Sequence, residues 1–301
     1  MSESPCIYTL TGNLLAERTI EFDSWTIGRT QRARREIFHT RGKGVNVSNM
    51  LSRLATKNIA LIFAGGASGA ECEAWFKARG LAYQVFTTEQ PSRTGTVIWS
   101  DNQAETTFLG PNVTPDDTAV QACADYLDTQ PDGQVLALCG SFPGWEENHF
   151  EPLRSAIIRW VKRGRFFADV YGPPLLEMCQ HSIDLIKINQ QEFDLLFPEI
   201  ERSQPVEARL RLMRDKFAVK SWVISNGPDS IWVMAKDNEP IDFVPPKIEE
   251  VSPTGSGDVL FASMLHALVI RNDSLVDAVK FGLPYAAANA AHPGVADFDL
   301  P

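Results

Sequence analysis

From residue 115 onward the sequence alternates strand-like and helix-like segments, and this alternation most limits what the chain can fold into. A helical pattern at 116–128 leads to the strand VLALC (135–139), a helix over 146–162 and a strand at 166–171. IDLIKI (183–188), WVISN (222–226) and IWVMA (231–235) are further strands, with helices near 174–180, 190–197, 205–216 and 275–291. Such an order implies a mainly parallel central sheet with helices on both faces, an α/β sandwich of three layers. Nearer the N-terminus, a strand at 7–11, a helix over 42–56 and the buried-type strand IALIFA (59–64) fit the same plan. Segments 13–41 and 81–110 break it with polar, alternating runs, and they are expected to form a small β lid over the strand ends. No linker, repeat or low-complexity stretch divides the chain, so residues 1–301 are read as one domain.

The balance of Lys+Arg 28 against Asp+Glu 38 gives a net charge of −10. That argues against a nucleic-acid partner or an anionic membrane, either of which needs a basic surface. The first twenty residues lack a signal peptide's apolar core, and no apolar run reaches the length of a membrane span. Cys6, Cys72, Cys123, Cys139 and Cys179 are scattered without metal-ligand spacing, and the five histidines form no zinc pattern. Reduced, buried thiols in a cytoplasmic protein are the expectation.

Residues 249–268, EEVSPTGSGDVLFASMLHAL, carry the strongest chemical signal. A turn of small residues opens directly into an apolar helical run, so Gly255, Ser256 and Gly257 present unpaired N–H groups at the positive end of a helix dipole. This is an anion cradle. Asp258 beside it suits two roles, an acidic first-turn residue or a base taking a proton from a hydroxyl that attacks a phosphoryl group. Lys43 stands between Gly42 and Gly44 at another helix start, placed to offer a point charge to a phosphate. Six basic residues, Arg29, Arg32, Arg34, Arg35, Arg41 and Lys43, fall within fifteen positions. They read either as a solvated lid face or as a receptor for an anion. Gly65-Gly66-Ala67-Ser68-Gly69 lacks the dinucleotide fingerprint, and no P-loop occurs. At strand ends, Gly140–Gly144, Lys187–Glu192 and Ser225-Asn226-Gly227 occupy the edge where open α/β sheets bind ligands. There Asn189 either caps the next helix or, with Glu192, faces a metal and nucleotide phosphates.

In their order, these stretches resemble the ribokinase-like (PfkB) carbohydrate kinases over nearly the whole chain. RGKGVNVSNMLSRLA (41–55) is similar to the family's G-G-K-G-x-N-x-A, and the 249–268 stretch to its T-G-A-G-D segment. GSFPG, KINQQE and ISNG resemble intermediate motifs, while TIEF (19–22) and Ser92-Arg93-Thr94 look closest to the branch with 1-phosphofructokinase and tagatose-6-phosphate kinase. The resemblance implies ATP- and Mg²⁺-dependent phosphoryl transfer to a sugar or sugar phosphate. It places Asp258 as base and Gly255, Ser256 and Gly257 as the anion hole. It assigns Lys43, Arg93 and Arg32 to the substrate's phosphate, and Gly42 and Asn46 to sugar hydroxyls. Asn189 and Glu192 would support Mg²⁺ and the ATP phosphates, with Ser225, Gly227 and Asn289 along the nucleotide. A lid-mediated homodimer is also implied.

Two departures fall in the acceptor pocket. The branch's N-P-A-[IL]-D is Asn13-Leu14-Leu15-Ala16-Glu17 here, which puts the longer Glu17 where an Asp meets sugar hydroxyls. The first glycine of G-G-K-G is Arg41, expected either to narrow the pocket or to add a cation for an anionic acceptor. The alternative readings are a kinase of an unphosphorylated sugar or nucleoside, and a catalytically silent sugar-phosphate-binding protein.

Overall fold

The computed structural model describes residues 4–101 and 103–301; residues 1–3 and 102, inside the expected domain, lie outside the described residues. β1 (Ile7–Thr11) leads to β2 (Leu15–Phe22), β3 (Arg35–Arg41), α1 (Lys43–Arg53), β4 (Asn58–Ala64), α2 (Gly66–Arg79) and β5 (Tyr83–Thr87). Next come β6 (Arg93–Ser100), β7 (Gln103–Leu109), α3 (Asp117–Thr129), β8 (Val135–Gly140), α4 (Glu151–Arg163), β9 (Arg165–Val170) and α5 (Pro173–Met178). β10 (Leu185–Asn189), α6 (Gln190–Asp194), α7 (Glu199–Arg202), α8 (Val206–Lys216) and β11 (Ser221–Asn226) follow. β12 (Ser230–Ala235), β13 (Ile241–Phe243), α9 (Ser256–His266) and α10 (Leu275–Ala290) complete the order.

Among the described residues, nine strands form one sheet in the order β13-β12-β11-β10-β9-β8-β1-β4-β5. From β5 to β11 every pairing is parallel, and β12 and β13 turn back antiparallel at one edge. Side chains alternate across the sheet with the strand period of two. Leu136 and Leu138 join Tyr8 and Leu10 in a core against α3 and α4, whereas Val135, Ala137 and Cys139 face Ile7 and the helices α1, α9 and α10. The three expected layers are present.

β3-β2-β6-β7 form a separate four-stranded sheet, the lid. One expectation needs correcting. The segment 81–110 was placed wholly in the lid, but β5 pairs in parallel with β4 and ends the large sheet. As an edge strand it is half covered, with only Phe86 fully buried, so its pattern resembles that of a one-faced lid strand. β13, too short to stand out from the sequence, extends the opposite edge. No helix among the described residues is long and apolar enough to cross a membrane.

The helix α1 lies unusually close to the sheet. A Cβ on Gly44 would come within 2.4 Å of the Thr11 hydroxyl and 3.3 Å of Cys139 Cβ. Gly44→Ala is therefore predicted to destabilise the protein by about 1–3 kcal/mol through overpacking, although alanine favours a helix by about 1 kcal/mol. A urea midpoint at or above that of the wild type would show that α1 is free to move away from the sheet.

Candidate active site

The carboxyl ends of β1, β8, β9, β10 and β11 meet the N-termini of α1 and α9 along one edge. Gly255 caps α9 at φ 76°, in the left-handed region that favours glycine, and a Cβ there would strike Val295 at 2.3 Å. The turn before it is braced by Asn289. This residue has no exposed surface, and its Nδ2 donates to the Thr254 carbonyl (2.9 Å) and to Ser256 Oγ (3.0 Å), while its Oδ1 accepts from Ala296 N–H (2.8 Å). Asn289 was expected along the nucleotide; with its amide spent internally, it shapes the cradle from behind.

A buried charge network lies beneath the cradle. Asp169, fully buried near the end of β9, accepts from Lys43 Nζ at 2.7 Å and from Lys187 Nζ at 2.8 Å. Against the cost of burial, the two ammonium groups hold the Asp169 carboxyl below its ordinary value. Lys43 also donates to Glu192 Oε1 at 2.9 Å. Burial works against its charge, yet Asp169 and Glu192 keep it protonated. Lys187 reaches to the start of α9, where a Cβ on Gly257 would lie 2.8 Å from its Nζ. The sequence gives no role to Asp169, and Lys187 enters only as the first residue of the 187–192 stretch. Their signal is a charged residue inside an otherwise apolar strand that is covered on both faces.

Asp258 is buried on the first turn of α9, and its Oδ2 accepts from Asn46 Nδ2 at 2.7 Å. Burial, reinforced by the negative charge of Asp169, raises its pKa to about 6. Lys43, Asn46 and Lys187 pull in the opposite direction. A carboxyl poised there can accept a proton near neutral pH.

Two clefts flank this pair. A cavity of about 370 Å³ is walled by Lys187, Asn189, Ser225, Gly227 and the Gly255–Asp258 turn. The structure thus brings the expected nucleotide residues together, except Asn289. A larger cavity of about 650 Å³ opens between lid and sheet, with Glu17, Arg41, Gly42 and Asn46 on its wall. Glu17 and Arg41 are diagonal neighbours across β2 and β3, Glu17 standing opposite His39 and Arg41 opposite Leu15, with Arg41 Nε 3.1 Å from Glu17 Oε1 and each side chain 11% exposed. The two departures from the family pattern therefore neutralise one another.

The three cations expected at one phosphate are not gathered. Lys43 points into Asp169 and Glu192. Arg93, its charge disfavoured by burial, donates to Asn112 Oδ1 at 3.2 Å and keeps a buried Nε without a partner. Arg32 is exposed between β2 and β3 and lines neither cleft. Tyr171 lies beside the first of these, with Lys43 Nζ 5.3 Å from its ring. Asn189 and Glu192 form a capping box, Glu192 N–H donating to Asn189 Oδ1 (2.8 Å) and Asn189 N–H to Glu192 Oε2 (3.0 Å). The cap is thus realised, and Glu192 in addition faces the cleft through Lys43. Among the described residues no three acidic, His or Cys side chains form a metal cluster.

The pattern described as "pfkB family carbohydrate kinase" matches residues 16–301, so it spans both clefts and the network between them. The chain belongs to the pfkB family. It is 23% identical over 290 residues to a 1-phosphofructokinase of Bacillus subtilis, covering 94% of this chain and 92% of that one. A D-tagatose-1-phosphate kinase of Bacillus licheniformis is 29% identical over 192 residues, 64% of this chain and 62% of the other. In fold it is similar to phosphofructokinase-2 from Escherichia coli in complex with fructose-6-phosphate, with TM-score 0.84 at 23% identity over 95% of this chain and 94% of that one. Within this pfkB chain the lysine–carboxylate network and the Glu17–Arg41 pair are direct observations of its own side chains.

Asp258 separates stability from turnover. Its folded pKa of about 6 lies above the ordinary carboxylate value, so its contribution favours folding at low pH and is lost as pH rises through about 6. Asp258→Asn is predicted to raise the melting temperature above pH 6, with the gain shrinking as pH falls from about 6 to about 4, and to lower kcat by about 10²–10⁴-fold. A wild-type rate in the variant would remove Asp258 from the chemistry, and a lower melting temperature would contradict the burial argument.

Proposed function

We propose that this chain is an ATP-dependent kinase whose acceptor is a sugar phosphate, fructose 1-phosphate or a close relative. One observation carries the reading. Asp258 stands at the junction of the two clefts, hydrogen-bonded to Asn46 on the acceptor side and next to the Gly255–Gly257 cradle on the other.

With a hydroxyl of the acceptor beside Asn46, the Asp258 carboxylate takes its proton as the oxygen bonds to the γ-phosphorus and the bond to ADP breaks. The N–H groups of the cradle and the Lys187 ammonium meet the charge that grows on the transferred group. Both lysines are held by Asp169 before any ligand arrives, so little reorganisation accompanies the reaction. Glu192, already accepting from Lys43 and from the Asn189 N–H, would together with the nucleotide phosphates hold a Mg²⁺ ion, which would supply positive charge against the phosphates. The lid excludes water from the acceptor cleft. Its Phe108 and Leu109, each more than half exposed, support packing against a second copy. Cys72, Cys123, Cys139 and Cys179, buried free thiols, suit a cytoplasmic setting.

Arg93, which lines a small recess with Asn13 and Ser92 rather than the acceptor cleft itself, keeps an unpartnered Nε that supports an acceptor phosphate on that side. ADP release with ATP and Mg²⁺ is the test, using matched pairs such as fructose and fructose 1-phosphate. Arg93→Ala should lower kcat/KM for the phosphosugar by about ten- to a hundredfold and leave the neutral sugar nearly untouched. Equal losses, or a wild type preferring the neutral sugar, would move the chain to sugars or nucleosides.

The acceptor wall gives a second expectation. Arg41→Gly strands the Glu17 carboxylate in a site only 11% exposed, and uncompensated buried charges are strongly destabilising, by about 3–5 kcal/mol. The variant should melt earlier, and adding Glu17→Gln should restore most of the loss. Equal melting of Arg41→Gly and wild type would place Arg41 in solvent.

A further inference from the structure

Beside the acceptor cleft lies a third cavity, of about 340 Å³, that the transfer reaction does not use. Arg41, Arg53 and Arg79 all stand on its wall, and among its described lining residues Asp297 is the single carboxylate. So cationic a recess is out of keeping with a chain of net charge −10. His39, also on the wall, is pushed down to about 3 by burial and by the guanidiniums of Arg41, Arg79 and Arg35, so it remains neutral.

Two buried donors at this cavity have no acceptor. Trp75 is 6% exposed, and its indole Nε1–H makes no hydrogen bond. Arg53 donates through Nη2 to the Phe298 carbonyl, but its buried Nη1 makes no bond. Leaving such groups unsatisfied is costly, and a cavity large enough for a polyatomic ion offers the remedy. Arg79 lies over the Trp75 ring at 4.2 Å, which holds its planar fork at the mouth.

We propose that Arg53, Arg79 and the Trp75 indole N–H, with Arg41 alongside, form a second anion site that takes a phosphate-type oxyanion. Arginine forks match tetrahedral oxyanions, and the indole supplies a neutral donor between them. The site is separate from Arg93, which lines neither this cavity nor the acceptor cleft. Asn46, Asn49 and Arg53 share one face of α1 at spacings of three and four, which puts Arg53 about 10 Å along the helix from the Asn46–Asp258 pair. His39, Arg41, Arg79, Val295 and Asp297 are common to this cavity and the acceptor cleft, so the two are contiguous. The anion is then either a second charged group of the acceptor or a free ion bound next to it.

The experiment is a calorimetric titration with inorganic phosphate, without nucleotide or turnover, so its outcome does not depend on the kinase reading. Wild type should bind phosphate saturably, and Arg79→Gln, at the exposed mouth where folding is not at stake, should weaken it about ten- to a hundredfold. Arg53→Gln should do the same, and Trp75→Phe should weaken it while keeping an aromatic ring under Arg79. Circular dichroism and phosphate-free melting check that each variant is folded. No saturable binding in the wild type, or binding that persists in the Arg53→Gln/Arg79→Gln double variant, would overturn the proposal, the latter placing phosphate at the cradle or at Arg93. Once binding is established, phosphate that raises the acceptor's KM identifies the anion as part of the acceptor. Phosphate that leaves KM unchanged identifies a free ion, and in both cases the site stands.

Discussion

A carboxylate with no exposed surface, Asp169, holds the active edge together. It accepts one ammonium from α1 and one from β10, elements that are far apart in the chain and on different layers. A carboxylate alone in such a place would give up its charge, and a lone lysine would do the same. Lys43 is shared with Glu192, so two lysines are matched by two carboxylates beneath the cradle. The Lys187 ammonium nonetheless reaches the helix start above it, where Gly257 leaves it room.

Asp258 is the counterweight. Its charge is opposed by burial and by Asp169, and supported by Lys43, Lys187 and Asn46. Burial, together with the same Asp169 that keeps the lysines charged, therefore raises the pKa of Asp258, the base of the proposed transfer. Stability and activity make opposite demands on this carboxylate, and such conflict is characteristic of functional sites.

Much of this was legible in the sequence, and what was not has a common cause. Alternating segments and helix-start glycines are local signals. Ser225 and Gly227, which line the cavity beside the turn before α9, follow only from the family resemblance, but the layers, that small-residue turn and the place of Lys43 could be read directly. Pairings across the fold could not. Lys187 and Asp169 look like flaws in apolar strands until their partner is seen. Glu17 and Arg41, which resembled two independent defects of the acceptor pocket, are cross-strand neighbours that answer each other. Tyr83–Thr87 was assigned to the lid because an edge strand with one covered face carries the same pattern as a lid strand. Asn289 was read as a ligand contact, though its position in α10 places it behind the turn it supports.

The stretch around Val295 has a further consequence. Val295 packs against Gly255, Ala296 is tied to Asn289, and Val295 and Asp297 line both the acceptor cleft and the arginine-rich recess. One short piece of backbone is therefore a party wall for three chambers. A close-packed wall cannot yield on one side alone. An anion held in the proposed recess site would then be coupled to a ligand at the Gly255 turn, and by linkage each would change the other's affinity by the same factor.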